Sequence, residues 1–126
     1  MEIYTGVDIV KNERIKKAVE KFGNRFLKRI YTDREIEYCQ GKKDFIPCLA
    51  ARFAAKEAFI KAFYQGFTIN IPPKLIEIIG KQGKPAEILL HHPDEQVTSV
   101  LNRIKYNLSI SHERDYSVAT VIIYIL

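Results

Sequence analysis

The chain has 126 residues, of which 47% are hydrophobic and 28% are charged. These values are typical of a globular protein with its own core, so they exclude disorder and fibrous repeats and predict one domain over residues 1–126. The longest uncharged apolar run, residues 118–126, is far shorter than the about 20 residues of a membrane-spanning helix. Glu2 and Asp8 stand where a signal peptide would be basic and then apolar, so we expect no membrane partner and a cytoplasmic protein.

The formal net charge is +5, and the basic excess is concentrated in one segment. Residues 11–29 hold eight basic and two acidic side chains, a net charge of +6. Several of these basic residues recur every three or four positions, which places them on one face of a helix. Such a face attracts an anionic partner, and the pattern alone leaves open whether that partner is nucleic acid, phospholipid or an acidic protein. A solvated helix face without a partner is the other alternative.

In chain order, the first predicted element is a strand over residues 3–10, because apolar and other residues alternate there. Its apolar, core-facing side is predicted to be Ile3, Thr5, Val7 and Ile9. Asp8 then points away from the core.

Three helices are predicted next. The first starts near residue 11 and is broken near Gly23. Thr32 and Glu35 have the spacing of a capping box, which starts a short second helix. A long third helix is predicted over residues 44–66.

The second half of the chain is predicted to be mostly strands, over residues 75–79, 86–90, 106–111 and 116–125, with one helix after Pro93. The helices are grouped and do not alternate with strands. This order predicts an α+β fold in which a largely antiparallel sheet packs against a group of helices.

The two cysteines, Cys39 and Cys48, stand nine positions apart, without a second pair or a C-x-x-C motif. That arrangement suits neither a zinc site nor a disulfide framework, so we expect two buried thiols.

The third predicted helix carries the residues best suited to chemistry. Glu57 and Lys61 are i, i+4 neighbours, and Ala50 and Ala54 make the same face small enough for close approach. With Asp8, this gives two carboxylates, which together with phosphate oxygens are typical ligands of Mg²⁺, and a lysine to act on the phosphate as a point charge. An exposed ion pair worth about 0.3–0.5 kcal/mol on an alanine-rich helix remains the alternative.

Four segments together resemble the holo-[acyl-carrier-protein] synthase family of 4′-phosphopantetheinyl transferases: GVDIV at 6–10, FAAKEAFIK at 53–61, GKP at 83–85 and SISH at 109–112. The central block matches the family signature [FW]-[AS]-[AG]-K-E-[AS]-x-x-K at every position. The resemblance extends along nearly the whole chain and implies the 4′-phosphopantetheinyl transferase fold.

This resemblance implies that the chain transfers the 4′-phosphopantetheine arm of coenzyme A to a serine of apo acyl carrier protein, a step of fatty acid biosynthesis. Adenosine 3′,5′-bisphosphate is the other product. By matching position, Asp8 and Glu57 would ligate Mg²⁺ and Lys61 would contact the phosphate under attack. Glu57 is also a candidate base for the serine proton, directly or through a water.

The resemblance also implies coenzyme contacts elsewhere in the chain. Gly83, Lys84 and Pro85 would lie against the nucleotide end, although an ordinary hairpin turn explains Lys84 equally well. Ser109 and Ser111 would line the cofactor groove.

Two further residues receive no catalytic role from this comparison. Some family members carry a histidine where this chain has Asn107, so no histidine base is implied here. His112 is predicted to share the core-side face of its strand. Arg52 stands one turn before Glu57 and could reach a phosphate, but we expect it to be exposed.

Docking of an acidic apo acyl carrier protein is implied for the first helix. Arg14 matches the family most directly, and Lys17, Lys21 and Arg25 follow by spacing. The resemblance further implies a homotrimer with sites between subunits.

Two other function classes remain open. The first is a binding module whose basic face holds RNA or an acidic protein, but the chain has no RNP-type motif or GXXG loop, so we expect no nucleic acid partner. The second is a different Mg²⁺-dependent enzyme that acts on a phosphorylated small molecule. Coenzyme A binding would distinguish both from the transferase.

Overall fold

The computed structural model describes residues 1–81 and 84–126, and its elements follow the predicted order. The helices are α1 (Asn12–Phe22), α2 (Asn24–Ile30), α3 (Asp33–Gln40), α4 (Phe45–Phe67) and α5 (Glu95–Val100). The strands are β1 (Glu2–Lys11), β2 (Ile76–Lys81), β3 (Lys84–Leu90), β4 (Lys105–His112) and β5 (Tyr116–Ile125). They form an antiparallel three-stranded sheet in the order β1-β5-β4 and a separate β2-β3 hairpin, which confirms the α+β prediction.

Local sequence signals set the helix boundaries where they were predicted. Gly23 separates α1 from α2 with a φ of 55°, a conformation that favours glycine. At the start of α3, the backbone N–H of Glu35 donates to Thr32 Oγ1 at 3.2 Å, and the Glu35 carboxylate accepts from the backbone N–H of Thr32 at 2.9 Å. The predicted capping box is therefore confirmed.

Helix α4 is the centre of the fold and packs on the inner face of the three-stranded sheet. Its small face is completely buried and consists of Ala50, Ala54, Ala55, Ala58 and Ala62. Gly6 of β1 lies against it, since a Cβ at this position would overlap the carbonyl oxygen of Ala58. In the described ranges, none of the helices combines the length and apolar character needed to cross a membrane.

The predicted core-facing side of β1 is wrong. Ile3, Val7 and Ile9 are 57%, 57% and 62% exposed, and the opposite side of the strand faces α4. Alternation shows only that the two faces of a strand differ, whereas the close approach at Gly6 decides which face the helix covers. Asp8 therefore points towards α4, contrary to the prediction.

The prediction of two free thiols is also wrong, because Cys39 and Cys48 form a disulfide with a Cα–Cα distance of 5.5 Å. The bond joins the end of α3 to the first turn of α4. The nine-residue spacing contains the turn between these helices, and only the packing of their ends brings the two Cα atoms within bonding range.

A buried ion pair connects α4 to the helical layer. Lys56 is 0% exposed, and its Nζ lies 2.6 Å from Glu35 Oε1. Nζ also lies within hydrogen-bond distance of the carbonyl oxygens of Ile30, Pro73 and Ile76, which share its three N–H groups with Glu35. Burial lowers the pKa of Lys56, and the negative charge of Glu35 opposes that shift. One ammonium therefore holds the ends of α2, α3 and β2 together.

Candidate active site

The structure brings Asp8 of β1 together with Glu57 and Lys61 of α4. Lys61 Nζ donates to Asp8 Oδ1 at 3.1 Å and to the backbone carbonyl of Val7 at 3.0 Å. The Asp8 side chain is 17% exposed and that of Lys61 is 54% exposed, so the cluster is open to solvent on one side. Asp8 reaches these two residues because it lies on the same face of β1 as Gly6, and this face packs against α4.

The charges in this cluster are coupled. Partial burial raises the pKa of Glu57, the negative charge of Asp8 raises it further, and the Lys61 ammonium opposes both effects. Glu57 therefore holds a proton more tightly than a free glutamate does. An added cation would offset this repulsion and favour both carboxylates in the ionised form.

The donor set fits a magnesium ion that is shared with a phosphorylated ligand. Within residues 1–81 and 84–126, no group of three or more His, Cys, Asp or Glu side chains could hold a metal by itself. Mg²⁺ is usually held by one or two carboxylates, with substrate phosphates and waters completing the shell. Asp8 and Glu57 supply that number of carboxylates, whereas a structural zinc site would need more ligands.

A second cluster lies between α3, α4 and the end of β4, around a cavity of about 380 Å³ that we call the basic pocket. Its lining includes Lys42, Lys43, Arg52 and His112, with Tyr38 on one side and one acidic residue, Asp44. Two lysines, a guanidinium and an imidazole around one cavity suit an anion with several phosphate oxygens. Lys42 and Lys43 lie in the loop after α3 and carry no sequence pattern, so the prediction missed them.

Arg52 is buried, contrary to the prediction that it is exposed. It is 8% exposed, and its guanidinium lies 4.5 Å from the centre of the Tyr38 ring. Its Nη1 donates to Cys48 Sγ at 3.3 Å. Among the described residues, none accepts a hydrogen bond from its buried Nε. The contacts with Tyr38 and Cys48 hold the guanidinium in a fixed position in the wall of the basic pocket.

His112 follows the predicted strand face and reaches the basic pocket because the β4-β5 hairpin is anchored to the start of α1. The buried Asn12 side chain donates to the carbonyl of Glu113 at 3.1 Å. Its Oδ1 accepts from the hydroxyl of Ser117, a completely buried residue, at 2.8 Å. Asn12 was not singled out from the sequence, since its role depends on a partner about 100 positions away.

The remaining predicted coenzyme contacts are not joined to the Asp8 cluster within one chain. Ser109 and Ser111 are exposed on the outer face of the sheet, opposite the face that carries Asp8. Lys84 and Pro85 are exposed at the start of β3. Gly83 lies outside the described residues.

The four basic residues predicted as a docking face are exposed. Arg14, Lys17 and Lys21 lie on α1, and Arg25 lies on α2. Beside them, Phe22 is 45% exposed and lines a cavity of about 220 Å³ with Arg25, Phe26 and Arg29. This surface offers positive charge around an apolar contact, which suits an acidic protein partner.

Comparisons with known proteins find related sequences over nearly the whole length of the chain. The profile of the 4′-phosphopantetheinyl transferase superfamily matches residues 4–121. A holo-[acyl-carrier-protein] synthase of Aquifex aeolicus is 55% identical over 118 residues, which cover 94% of this chain and 95% of that protein.

Solved structures show the same similarity. The holo-[acyl-carrier-protein] synthase of Neisseria meningitidis is 31% identical, with a TM-score of 0.80 and coverage of 96% of this chain and 97% of the other. That of Bacillus anthracis, solved in complex with CoA (3′,5′-ADP), is 29% identical, with a TM-score of 0.74 and coverage of 95% and 94%.

Proposed function

Because the chain belongs to the holo-[acyl-carrier-protein] synthase family of 4′-phosphopantetheinyl transferases, we propose that it transfers 4′-phosphopantetheine from coenzyme A to a serine of an apo acyl carrier protein. Adenosine 3′,5′-bisphosphate leaves as the second product. The observation that carries the proposal is the meeting of Asp8, Glu57 and Lys61 at one open cluster. Carboxylates that can hold a metal and a lysine that can neutralise phosphoryl oxygens are recurring parts of phosphoryl transfer sites.

The chemistry needs positioning and charge neutralisation more than covalent help from the protein. The serine oxygen attacks the phosphorus that bears the pantetheine arm, and the bond from this phosphorus to the bridging oxygen of the pyrophosphate breaks. Lys61 would turn from Asp8 to neutralise charge on the phosphoryl oxygens, and Glu57 is the candidate to accept the serine proton. Asp8 and Glu57 would hold Mg²⁺, which when bound supplies further positive charge to the pyrophosphate.

The basic pocket would hold the phosphorylated nucleotide end of coenzyme A. It presents Lys42, Lys43, Arg52 and His112 to one cavity. Gly80, just before the predicted Gly83-Lys84-Pro85 contact, lies against Arg52: a Cβ at Gly80 would stand 3.1 Å from Arg52 Nη2. Gly80 of β2 therefore lies beside Arg52, a residue of the basic pocket.

The exposed basic residues of α1 and α2 would dock the acidic carrier protein, with Phe22 as an apolar contact. The outer sheet face carries exposed Ile3, Val7, Ile9 and Ile122, and a second and third copy of the chain would cover it in a homotrimer. Ser109 and Ser111 share this face, where they would meet coenzyme A bound to a neighbouring copy. A monomer mass in sedimentation equilibrium would contradict this assembly.

Family membership supports a place for the reaction in fatty acid biosynthesis and, with it, the expected cytoplasmic location. Carrier proteins of that pathway are the substrates that the resemblance implies.

The proposed function is tested by the mass of an apo acyl carrier protein after incubation with the chain, coenzyme A and Mg²⁺. We expect a gain of about 340 Da, one phosphopantetheine group, which is lost when EDTA is added. No gain with several carrier proteins would favour the binding-module alternative. A gain that is insensitive to EDTA would contradict the metal assignment and leave the transfer standing.

A further inference from the structure

We infer that the Cys39–Cys48 disulfide is a redox-controlled clamp on the basic pocket, so that the oxidised chain binds a nucleotide 3′,5′-bisphosphate more tightly than the reduced chain. The inference rests on the proposed function, because it takes the nucleotide end of coenzyme A as the ligand of that pocket. The transferase reaction itself does not use the two cysteines.

The disulfide lies in the wall of the basic pocket. Cys48 lines the cavity, and its Sγ accepts a hydrogen bond from Arg52 Nη1 at 3.3 Å. Tyr38, the neighbour of Cys39 in α3, lies against both Arg52 at 4.5 Å and Lys42 at 4.7 Å. The bond therefore joins the two helices that flank Lys42 and Lys43, and one of these helices carries Arg52.

The bond also closes the loop that carries two of those cations. Residues 41–44 connect α3 to α4 and present Lys42 and Lys43 to the cavity. The described backbone bonds that hold this turn include those from Lys42 N to Cys39 O at 3.0 Å and from Cys48 N to Asp44 O at 3.1 Å. Both loop lysines are exposed, so the position of their backbone decides whether they face the ligand. A covalent tie at both ends of the turn holds that position before the ligand binds.

Reduction would release the tie without removing any cation. A dithiol reductant gives up two electrons and two protons, becomes a disulfide itself, and leaves Cys39 and Cys48 as two thiols. The loop then samples more conformations, and binding must order it again. The entropic cost of ordering the loop weakens ligand binding. It leaves the chemical step unchanged, since Asp8, Glu57 and Lys61 lie outside the basic pocket.

The test compares three forms of the full chain: oxidised, reduced with dithiothreitol, and the double variant Cys39→Ser/Cys48→Ser. Calorimetric titration with adenosine 3′,5′-bisphosphate and with coenzyme A should show about tenfold weaker binding for the reduced chain and the double variant. In the transfer assay, KM for coenzyme A should rise by a similar factor while kcat changes little. Dithiothreitol should leave the double variant unchanged, which controls for effects of the reductant elsewhere.

A second variant keeps the inference falsifiable if the double cysteine variant does not fold. In oxidised Lys42→Ala/Lys43→Ala, adenosine 3′,5′-bisphosphate binding should be weakened, and reduction should weaken it no further. Equal affinity of the folded oxidised and reduced wild-type chains would overturn the inference while leaving the proposed function intact. Failure of all forms to bind coenzyme A would overturn the proposed function, and the clamp with it.

Discussion

At the scale of single residues, the central observation is that Lys61 is paired with Asp8. The ammonium neutralises one carboxylate of the proposed metal site before any ligand binds. Glu57, the other carboxylate, feels both charges and has a raised pKa. The three groups therefore act as one electrostatic unit, and a change in one is expected to alter the other two.

Replacing either carboxylate should remove the proposed activity without removing the fold. Asp8→Ala and Glu57→Ala each leave a single carboxylate, so transfer should fall by at least about a hundredfold, while circular dichroism and the unfolding midpoint stay near those of the wild type. The phosphopantetheine mass gain on the carrier protein measures the transfer. Full activity of Glu57→Ala would contradict its assignment as a metal ligand.

The coupling predicts opposite shifts in the pKa of Glu57 for two single substitutions. Asp8→Asn removes a negative charge and should lower the pKa of Glu57, whereas Lys61→Met removes a positive charge and should raise it. An NMR titration of the Glu57 carboxyl carbon measures both shifts directly. Shifts of the same sign in the two variants would show that the cluster is not coupled as the structure indicates.

The raised pKa of Glu57 also predicts a pH dependence for the wild-type chain. Glu57 must be ionised to serve as a ligand or a base, and its folded pKa lies above the ordinary value of 4.5. In the metal-free chain the Glu57 carboxyl should therefore titrate with a midpoint above 4.5, and Mg²⁺ should move that midpoint down by favouring the ionised form, both measured by NMR. A midpoint at or below 4.5 in the metal-free chain would contradict this.

At the scale of elements, α4 has two lysines five positions apart with opposite roles. Lys56 is completely buried, where it binds Glu35 and three backbone carbonyls, whereas Lys61 is more than half exposed beside Asp8. A buried ammonium is costly unless all of its N–H groups are hydrogen-bonded. The Lys56 ammonium meets this condition, because it is surrounded by oxygen acceptors. The signature block therefore contains a structural lysine, Lys56, and the lysine proposed to contact the phosphate, Lys61.

These roles can be separated by one matched pair of variants. Lys56→Met leaves the Glu35 carboxylate buried without its partner, so the free energy of unfolding in urea should fall by about 3–5 kcal/mol. Lys61→Met, the control on the same helix, should change it by less than about 0.5 kcal/mol and should lose transfer activity. Adding Glu35→Gln to Lys56→Met should restore part of the stability. Equal stability of the two lysine variants would contradict the structural role of Lys56.

At the scale of the whole molecule, the three-stranded sheet has a covered face and an open face. Helix α4 covers the inner face, while Ile3, Val7 and Ile9 remain exposed on the outer one. The basic residues of α1 and α2 form a separate surface next to the strand that carries Asp8. We expect an acidic protein to be attracted to this surface.

Charge reversal on α1 should weaken the carrier protein more than the coenzyme. Arg14→Glu/Lys21→Glu should lower the affinity for apo acyl carrier protein by about tenfold at low salt, with little change in the affinity for coenzyme A. Lys74→Glu/Arg103→Glu makes the same change in net charge at exposed positions away from α1 and serves as the control. Surface plasmon resonance measures the carrier affinity, and a value unchanged from the wild type would contradict the docking assignment.

The sequence predicted the element order well because each boundary depends on a local signal. The capping box at Thr32 and Glu35 and the break at Gly23 are read within four residues, and both are confirmed. The sequence also singled out Asp8, Glu57 and Lys61. The spacing of Glu57 and Lys61 on a helix is a local property, and the resemblance to the family connects them with Asp8 on β1. The disulfide and the burial of Arg52 were missed, because each depends on how the end of α3 packs against α4.

By itself, the sequence determined the α+β class, the helix and strand order, the family and the chemical types in the candidate site. Only the tertiary structure decided which face of β1 is buried, that Cys39 and Cys48 are bonded, and that Lys42, Lys43, Arg52 and His112 share one pocket. The physical reason is the range of the interactions: capping, periodicity and turn preference act within a few residues. Face choice, disulfide pairing and pocket formation depend on contacts between elements, such as Gly6 against Ala58, whose partners no local pattern specifies.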